Sequence, residues 1–176
     1  MRTPIRRIVT AHDERGAAIV LSDELDPNFK RHPAAGIEAC VLWTTDRYPP
    51  QVDATRDPVT GREGIAPVPN GTIFQIVDFP PFQGETLEAG YVQSMVALGT
   101  TAKPLSSHPM VHRTNTLDVA IVISGEVDMI VGESVTRCRA GDVIVQQATV
   151  HGWVNNSDAM CRIAFMMMDA GSEPAR

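Results

Sequence analysis

Two segments between His108 and Asn155 decide the fold of this chain. They read HPMVHRTNTLDVAIVISGE, residues 108–126, and AGDVIVQQATVHGWVN, residues 140–155. In them His112, Asp118 and His151 lie at the edges of short apolar strands, which glycine turns separate. A small β-barrel needs this arrangement to direct three metal ligands inward at one point. The two segments therefore predict a barrel with a metal site, and the upstream chain is expected to be its wall, arm or lid.

The pattern of turns and apolar segments predicts an all-β fold. Turn residues recur at Gly125, Gly132, Gly141 and 155–157, and strand-like segments lie between them at 119–123, 127–131, 135–138, 143–145 and 161–168. Residues 37–43 and 71–79 have the same character, whereas 93–98 fit either a short strand or a helical turn. Short strands at regular spacing, with almost no helical period, are typical of a sandwich or barrel.

The N-terminal part is predicted to extend the barrel. Residues 6–11 and 17–21 flank a polar loop that ends in glycine, which predicts a hairpin with His12 exposed at its turn. The segment from Thr44 to Asn70 contains five of the prolines. A connection this long is usually functional or mobile, so it is predicted to be a lid, an arm that reaches a partner subunit, or a plain mobile loop. We expect one structural domain, with residues 1–70 as arm and lid and residues 71–176 as the barrel.

Composition argues against several partners and compartments. The net charge of −6 disfavours nucleic-acid binding, which a basic face would have to support. No apolar segment approaches the roughly 20 residues of a membrane span. The basic N-terminus has no apolar segment after it, so a signal peptide is not expected and the predicted compartment is the cytoplasm. Three widely spaced cysteines without a C-x-x-C pair are predicted to be reduced packing residues.

The candidate ligands favour a transition metal without choosing among metals. Imidazole and carboxylate together bind iron, zinc, nickel, copper or manganese, and two histidines with one carboxylate leave positions for substrate or oxygen. His108 is a fourth candidate ligand. Four residues of extended strand cover about 13 Å, so His108 and His112 share a metal only if Pro109 bends the chain.

Other chemistries are possible at the same residues. No G-x-S-x-G, P-loop or G-x-G-x-x-G sequence is present. His112 or His151 beside Asp118 can act as a general base without a metal. Arg113 can hold a substrate carboxylate bidentately, or it can pair with an exposed aspartate at the surface. Arg113, Asp118 and His151 are therefore the candidate catalytic residues, and Trp153 is expected to wall or fill the pocket.

The two segments resemble the motifs of the cupin superfamily, G-x5-H-x-H-x3,4-E-x6-G and G-x5-P-x-G-x2-H-x3-N. Asp118-x6-Gly125 is similar to the end of the first motif, with aspartate in place of glutamate, and His108-x3-His112 replaces its H-x-H. Gly141 and His151-x3-Asn155 resemble the second motif, which is one residue shorter here. The resemblance is close over residues 105–169 and looser over residues 7–23. It implies a double-stranded β-helix, or jelly-roll barrel, with an N-terminal hairpin extension used in dimer contact.

For function the resemblance implies a metal-dependent enzyme acting on a small organic substrate, by dioxygenase or by lyase, dehydratase or isomerase chemistry. The expected cofactor is one divalent transition metal, namely iron, nickel, zinc or manganese, held by His112, Asp118, His151 and the fourth candidate His108. Two alternatives stay open, a non-catalytic module that binds or senses a small ligand and a metal-free acid–base epimerase or isomerase. The expected partners are a small molecule and a second copy in a homodimer, with neither nucleic acid nor membrane.

Overall fold

The computed structural model describes residues 2–32, 35–52, 57–60, 64–82 and 110–171. These residues form eleven β-strands and no helix, so none of them belongs to a helix that can span a membrane. The strands are β1 Arg6–His12, β2 Ala18–Leu25, β3 Phe29–Arg31, β4 Glu38–Thr45, β5 Thr72–Phe79, β6 Thr116–Ser124, β7 Glu126–Val131, β8 Ser134–Arg139, β9 Val143–Gln147, β10 His151–Val154 and β11 Cys161–Asp169. The predicted all-β class is confirmed.

Two antiparallel sheets build the barrel. The larger has the strand order β3-β4-β5-β11-β6-β9, and the smaller has the order β10-β7-β8. One apolar core takes side chains from both sheets, including Val77 of β5, Val122 of β6, Val127 of β7 and Phe165 of β11. The predicted strand segments at 37–43, 71–79, 119–123, 127–131, 135–138, 143–145 and 161–168 are confirmed, whereas the ambiguous segment 93–98 lies outside the described residues.

Strand β6 shows how the sequence directs polar side chains into the barrel. Side chains alternate between the two faces of a strand, so residues two apart share a face. Thr116, Asp118, Ala120 and Val122 are all buried, while Leu117 and residues 121, 123 and 124 are exposed. Asp118 therefore occupies an inward position that an apolar residue would normally fill.

The hairpin prediction is confirmed, since β1 and β2 pair antiparallel from Arg6↔Leu25 to His12↔Ala18. A buried arginine fastens this hairpin to the larger sheet. Arg7 donates to the Leu42 carbonyl oxygen at 3.2 Å and to Asp57 Oδ2 at 2.6 Å. Because Asp57 belongs to the proline-rich segment, the same side chain also ties that segment to the barrel.

The upstream half also contributes to the barrel wall. Strands β3 and β4 belong to the larger sheet, and β4 pairs with β5 along most of its length. Within the proline-rich segment, Val59 joins the apolar core and Ile65 lines a cavity. Movement of this segment as a lid, and a domain boundary at residue 70, stay predictions. The predicted role of the cysteines is confirmed, because Cys40, Cys138 and Cys161 are free and buried.

Candidate metal and substrate site

A cavity of about 390 Å³ lies inside the barrel. This volume is in the range of pockets that hold small molecules. Its polar lining includes Gln75, His112, Thr114, Asp118 and His151. Gly64 and residues 30–32, at the end of β3, complete the wall. Its apolar lining comprises Ile37, Ala39, Val41, Ile65, Val77, Phe79, Met110, Trp153, Phe165 and Met167.

The two predicted histidine ligands lie directly opposite each other. His112 and His151 form an antiparallel bridge, with backbone N···O distances of 2.8 Å and 2.9 Å in the two directions. Side chains of such a pair point to the same face. The imidazole rings are accordingly 4.5 Å apart between centroids, and both line the cavity.

Both imidazoles are held by backbone carbonyl groups. His112 Nδ1 is 3.0 Å from the Met110 oxygen, and His151 Nδ1 is 2.9 Å from the Thr149 oxygen. A carbonyl oxygen only accepts, so each Nδ1 carries the proton and donates it. In a neutral ring this leaves the Nε2 lone pair for a ligand, which is the usual arrangement of a metal-binding histidine.

Burial keeps the two rings neutral. It lowers the pKa of His112, and it lowers the pKa of His151 to about 3, with a further contribution from the neighbouring His112. Neutral imidazole is the form that coordinates a metal ion. At neutral pH both rings are therefore in the form that coordinates a metal ion.

Asp118 lies on the neighbouring part of the cavity wall. Its Oδ2 accepts a hydrogen bond from Gln146 Nε2 at 3.0 Å, across the β6–β9 pairing. Its Oδ1 is buried and has no hydrogen-bond partner among the described residues. Burial raises the pKa of this carboxyl to about 6, against a smaller opposing effect of Thr116. An orphaned carboxylate oxygen of this kind fits a cation, a proton or a donor group of a substrate.

The described residues fit part of a metal site. The histidine pair has the chemistry and support that a first-row transition metal needs. However, no group of three or more histidine, cysteine, aspartate or glutamate side chains within the described ranges is close enough together to hold a metal ion. The structure thus brings His112 and His151 together and places Asp118 on the same cavity without completing a three-residue cluster. The fourth candidate, His108, lies outside the described residues.

The remaining candidates differ in their relation to the cavity. Trp153 is two residues beyond His151 on β10, lines the cavity and packs edge-on against that histidine at 6.0 Å between centroids. Arg113 is half-buried, and its Nε donates to the Ala148 carbonyl oxygen at 2.9 Å. It is not among the cavity-lining residues, so its role in binding a substrate stays a prediction.

Two glutamines and a histidine are among the polar residues that sequence reasoning missed. Gln75 is buried and lines the cavity, and Gln146 holds Asp118. His32 is half-buried and also lines the cavity. Gln75 can be identified from the alternation of inward side chains along β5, and Gln146 from the register of β9 against β6. Both signals become readable only when the pairing of the strands is known.

Comparisons with known proteins agree with this architecture. The family model of the cupin domain matches residues 99–168. The cupin-domain-containing oxidoreductase fogC of Aspergillus ruber is 25% identical over 169 residues, which cover 93% of this chain and 71% of that protein. Phomopsin biosynthesis cluster protein C′ of Diaporthe leptostromiformis is 29% identical over 174 residues, 97% of this chain and 80% of that protein.

Among solved structures, a putative ethanolamine utilization protein Q from Salmonella typhimurium aligns with 97% of this chain and 100% of its own length, at 11% identity and a TM-score of 0.46. The match to the cupin domain over residues 99–168 agrees with the resemblance of the two motifs. Its fold is the double-stranded β-helix, or jelly-roll barrel.

Proposed function

We propose that this protein is a metal-dependent enzyme that acts on a small organic molecule inside the barrel. The observation that carries the proposal is the buried pair of His112 and His151, whose Nδ1 atoms donate to backbone carbonyls and whose Nε2 atoms are left for a ligand. The similarity to a cupin-domain oxidoreductase supports an enzyme rather than a structural protein.

The histidine pair would hold one divalent ion of iron, nickel, zinc or manganese, and Asp118 and His108 are the candidates for further ligands. When bound, such an ion polarises a substrate oxygen or binds dioxygen, which is the chemistry of dioxygenases and of metal-dependent lyases and isomerases. The protein itself contributes a cavity whose apolar wall would orient the substrate. Asp118, with a pKa near 6, is suited to move a proton at Oδ1.

A metal-free acid–base enzyme is the second candidate. It is favoured by the orphaned Oδ1 of Asp118 and by the absence of a three-ligand cluster from the described residues. In this alternative Asp118, whose pKa of about 6 leaves its carboxyl mostly ionised at physiological pH, accepts the substrate proton and returns it to the product.

Elemental analysis of purified protein distinguishes the two candidates. About one equivalent of a single transition metal per chain, lost in His112→Ala, supports the metal enzyme. Protein that stays metal-free after incubation with iron, nickel, manganese and zinc in turn refutes it. In that case activity that depends on Asp118 without added metal would support the acid–base enzyme.

We further propose that the protein is a homodimer whose contact includes the N-terminal hairpin. On one face of this hairpin lie Ile8, Val20 and Leu25, which are 52%, 61% and 67% exposed. Residues two apart on a strand share a face, so Ile8 lies on the same face of β1 as Arg6 and Thr10. Leu25 pairs with Arg6 and Val20 pairs with Thr10, which places both side chains on that face as well. A two-stranded hairpin that exposes three apolar side chains is stabilised when a partner covers them. We also propose that the protein is located in the cytoplasm, a reducing compartment in which free thiols such as these three buried cysteines persist.

A further inference from the structure

One buried amide in the cavity wall has no part in the proposed metal centre. Gln75 lies in the middle of β5, where it pairs with Val41 of β4 and Phe165 of β11. All three side chains line the cavity, and Gln75 is only 5% exposed. The position is thus an interior one, with apolar residues as its cross-strand neighbours.

The hydrogen bonds of this amide identify its free atom. Gln75 Nε2 donates to the sulfur of Met167 at 3.3 Å. A thioether sulfur accepts but cannot donate, so this contact orients the amino group toward Met167. The carbonyl oxygen, Oε1, is buried and has no hydrogen-bond partner among the described residues.

A buried acceptor without a partner is unfavourable for folding. Leucine or methionine at the same position would avoid this penalty, because the neighbours Val41, Phe165 and Met167 are apolar. Buried polar groups without partners are rare in folded proteins, and each calls for a reason such as a ligand that binds there or a catalytic role. The side chain borders a cavity of about 390 Å³, which can admit a molecule that carries the missing donor.

The rest of the wall indicates what that molecule looks like. Phe79, Trp153 and Phe165 form a chain of edge-on aromatic contacts, with centroid distances of 6.4 Å and 5.6 Å. All three line the cavity, together with five aliphatic side chains. Such a surface favours a flat, largely apolar ring system over a sugar or another heavily hydroxylated compound.

We propose that Gln75 is a specificity-determining residue, and that the substrate is an aromatic or similarly flat ring compound whose hydroxyl or N–H group donates a hydrogen bond to Gln75 Oε1. This inference rests on the proposed function in that it places the substrate in the same cavity. It assigns to Gln75 the recognition of a donor group, and to the aromatic wall the recognition of the ring. A site built to accept such a bond discriminates against analogues that lack the donor, because binding them leaves the acceptor unpaired.

The test compares two probes of nearly equal shape, 2-naphthol and 2-methylnaphthalene, which differ in one hydroxyl group. Dissociation constants are measured by fluorescence titration for the wild type, Gln75→Leu, Gln75→Met and the control Gln147→Leu, whose glutamine is exposed. We expect the wild type and the control to bind 2-naphthol about tenfold more tightly than 2-methylnaphthalene. Both Gln75 variants should bind the two probes about equally. Thermal unfolding confirms that each variant is folded, and Gln75→Met replaces Gln75→Leu if the latter is not.

A second arm separates this inference from the metal proposal. His112→Ala is titrated with the same probes, and its metal content is measured in parallel. Preference for 2-naphthol that survives in both Gln75 variants but disappears in His112→Ala would place the hydroxyl at the histidine pair and overturn the role of Gln75. Lack of any preference in the wild type would overturn it as well. Protein that stays metal-free after incubation with the four metals, and that loses its preference only in the Gln75 variants, would support the inference while refuting the metal enzyme.

Discussion

His112 and His151 exchange both of their backbone hydrogen bonds, and this pairing sets their imidazole rings side by side at 4.5 Å between centroids. The position of each ring is therefore fixed by the main chain before any side-chain contact is made. The Nδ1 donations to Met110 and Thr149 then fix the rotation of the rings. A site held in this way is organised before a ligand arrives, which favours both metal binding and catalysis.

Close approach of residues 110–112 to β10 depends on Gly152. A Cβ at this position would lie 3.0 Å from Val111 Cγ2 and 3.1 Å from the Met110 oxygen, which is tighter than ordinary contact. We predict that Gly152→Ala displaces the His112 backbone, destabilises the fold by about 1–3 kcal/mol and weakens metal binding. Thermal unfolding and metal titration check this. The double variant Gly152→Ala/Val111→Ala should recover part of both losses, and wild-type stability and affinity in Gly152→Ala would contradict the account.

Asn155 closes the turn that follows β10. Its Nδ2 donates to the Phe79 oxygen at 2.8 Å and to the Ala159 oxygen at 2.7 Å, and its side chain is buried. Asn155→Ala leaves these carbonyl groups without their donor, so we predict a loss of about 2–3 kcal/mol in the free energy of unfolding, measured in urea. Its exposed neighbour provides the control. Asn156→Ala removes one bond, to Asp128, and should lower stability by less than about 1 kcal/mol.

The stability of the smaller sheet should depend on acid through Asp128. Hydrogen bonding to Arg137, with a smaller contribution from Asn156, lowers the pKa of this carboxyl below its ordinary value. A carboxyl whose pKa is lower in the folded state stabilises the fold above its unfolded pKa, near 4, and that contribution is lost as the pH falls through the folded pKa. We predict that Asp128→Asn is less stable than the wild type at neutral pH.

The difference between the Asp128→Asn variant and the wild type should begin to shrink below about pH 4, and it should be lost once the pH falls below the lowered pKa of Asp128 in the folded state. Urea unfolding across this pH range measures it. The exposed Asp158 supplies the control, as Asp158→Asn should stay parallel to the wild type. A stability difference that is constant from neutral to acid pH would show that the carboxylate charge is not what stabilises this contact.

The proposed homodimer is tested on the exposed face of the hairpin. Val20→Lys places a charge where we expect a partner subunit to cover the apolar surface, so we predict a shift from dimer to monomer in size-exclusion chromatography with light scattering. Val135→Lys makes the same change at an exposed valine of β8 and should leave the dimer intact. A wild type that is monomeric at high concentration, or a dimer that survives Val20→Lys, would refute this contact.

Local patterns in the sequence predicted most of the strands, because side-chain alternation and turn residues depend on neighbours along the chain. The three-residue strand β3 was not predicted, since a segment this short carries no clear alternation. The sequence predicted that His112 and His151 point into the same metal site, but it did not predict their direct contact. Their bridge depends on strand pairing over 39 positions, which no local pattern encodes.

The polar residues of the cavity show the same limit. Asp118 was identified because it lies at the edge of an apolar strand and takes the place of the glutamate in the first motif, whereas Gln75 and Gln146 have no such local mark. Their roles follow from which strands become neighbours: β5 with β11, and β9 with β6. Arg113 illustrates the opposite case, since adjacency to His112 in sequence predicted a place in the site, while the extended chain directs its side chain toward Ala148.

The central claim is that the histidine pair binds a metal ion. The direct measurement is elemental analysis of untagged protein, purified beside His112→Ala, His151→Ala and the control His12→Ala, whose histidine is exposed at the hairpin. Circular dichroism verifies the fold of each variant. The account predicts about one equivalent of a single transition metal in the wild type and the control, and none in the two site variants. A wild type that cannot be loaded with metal, or a folded His151→Ala protein with full metal content, would contradict it.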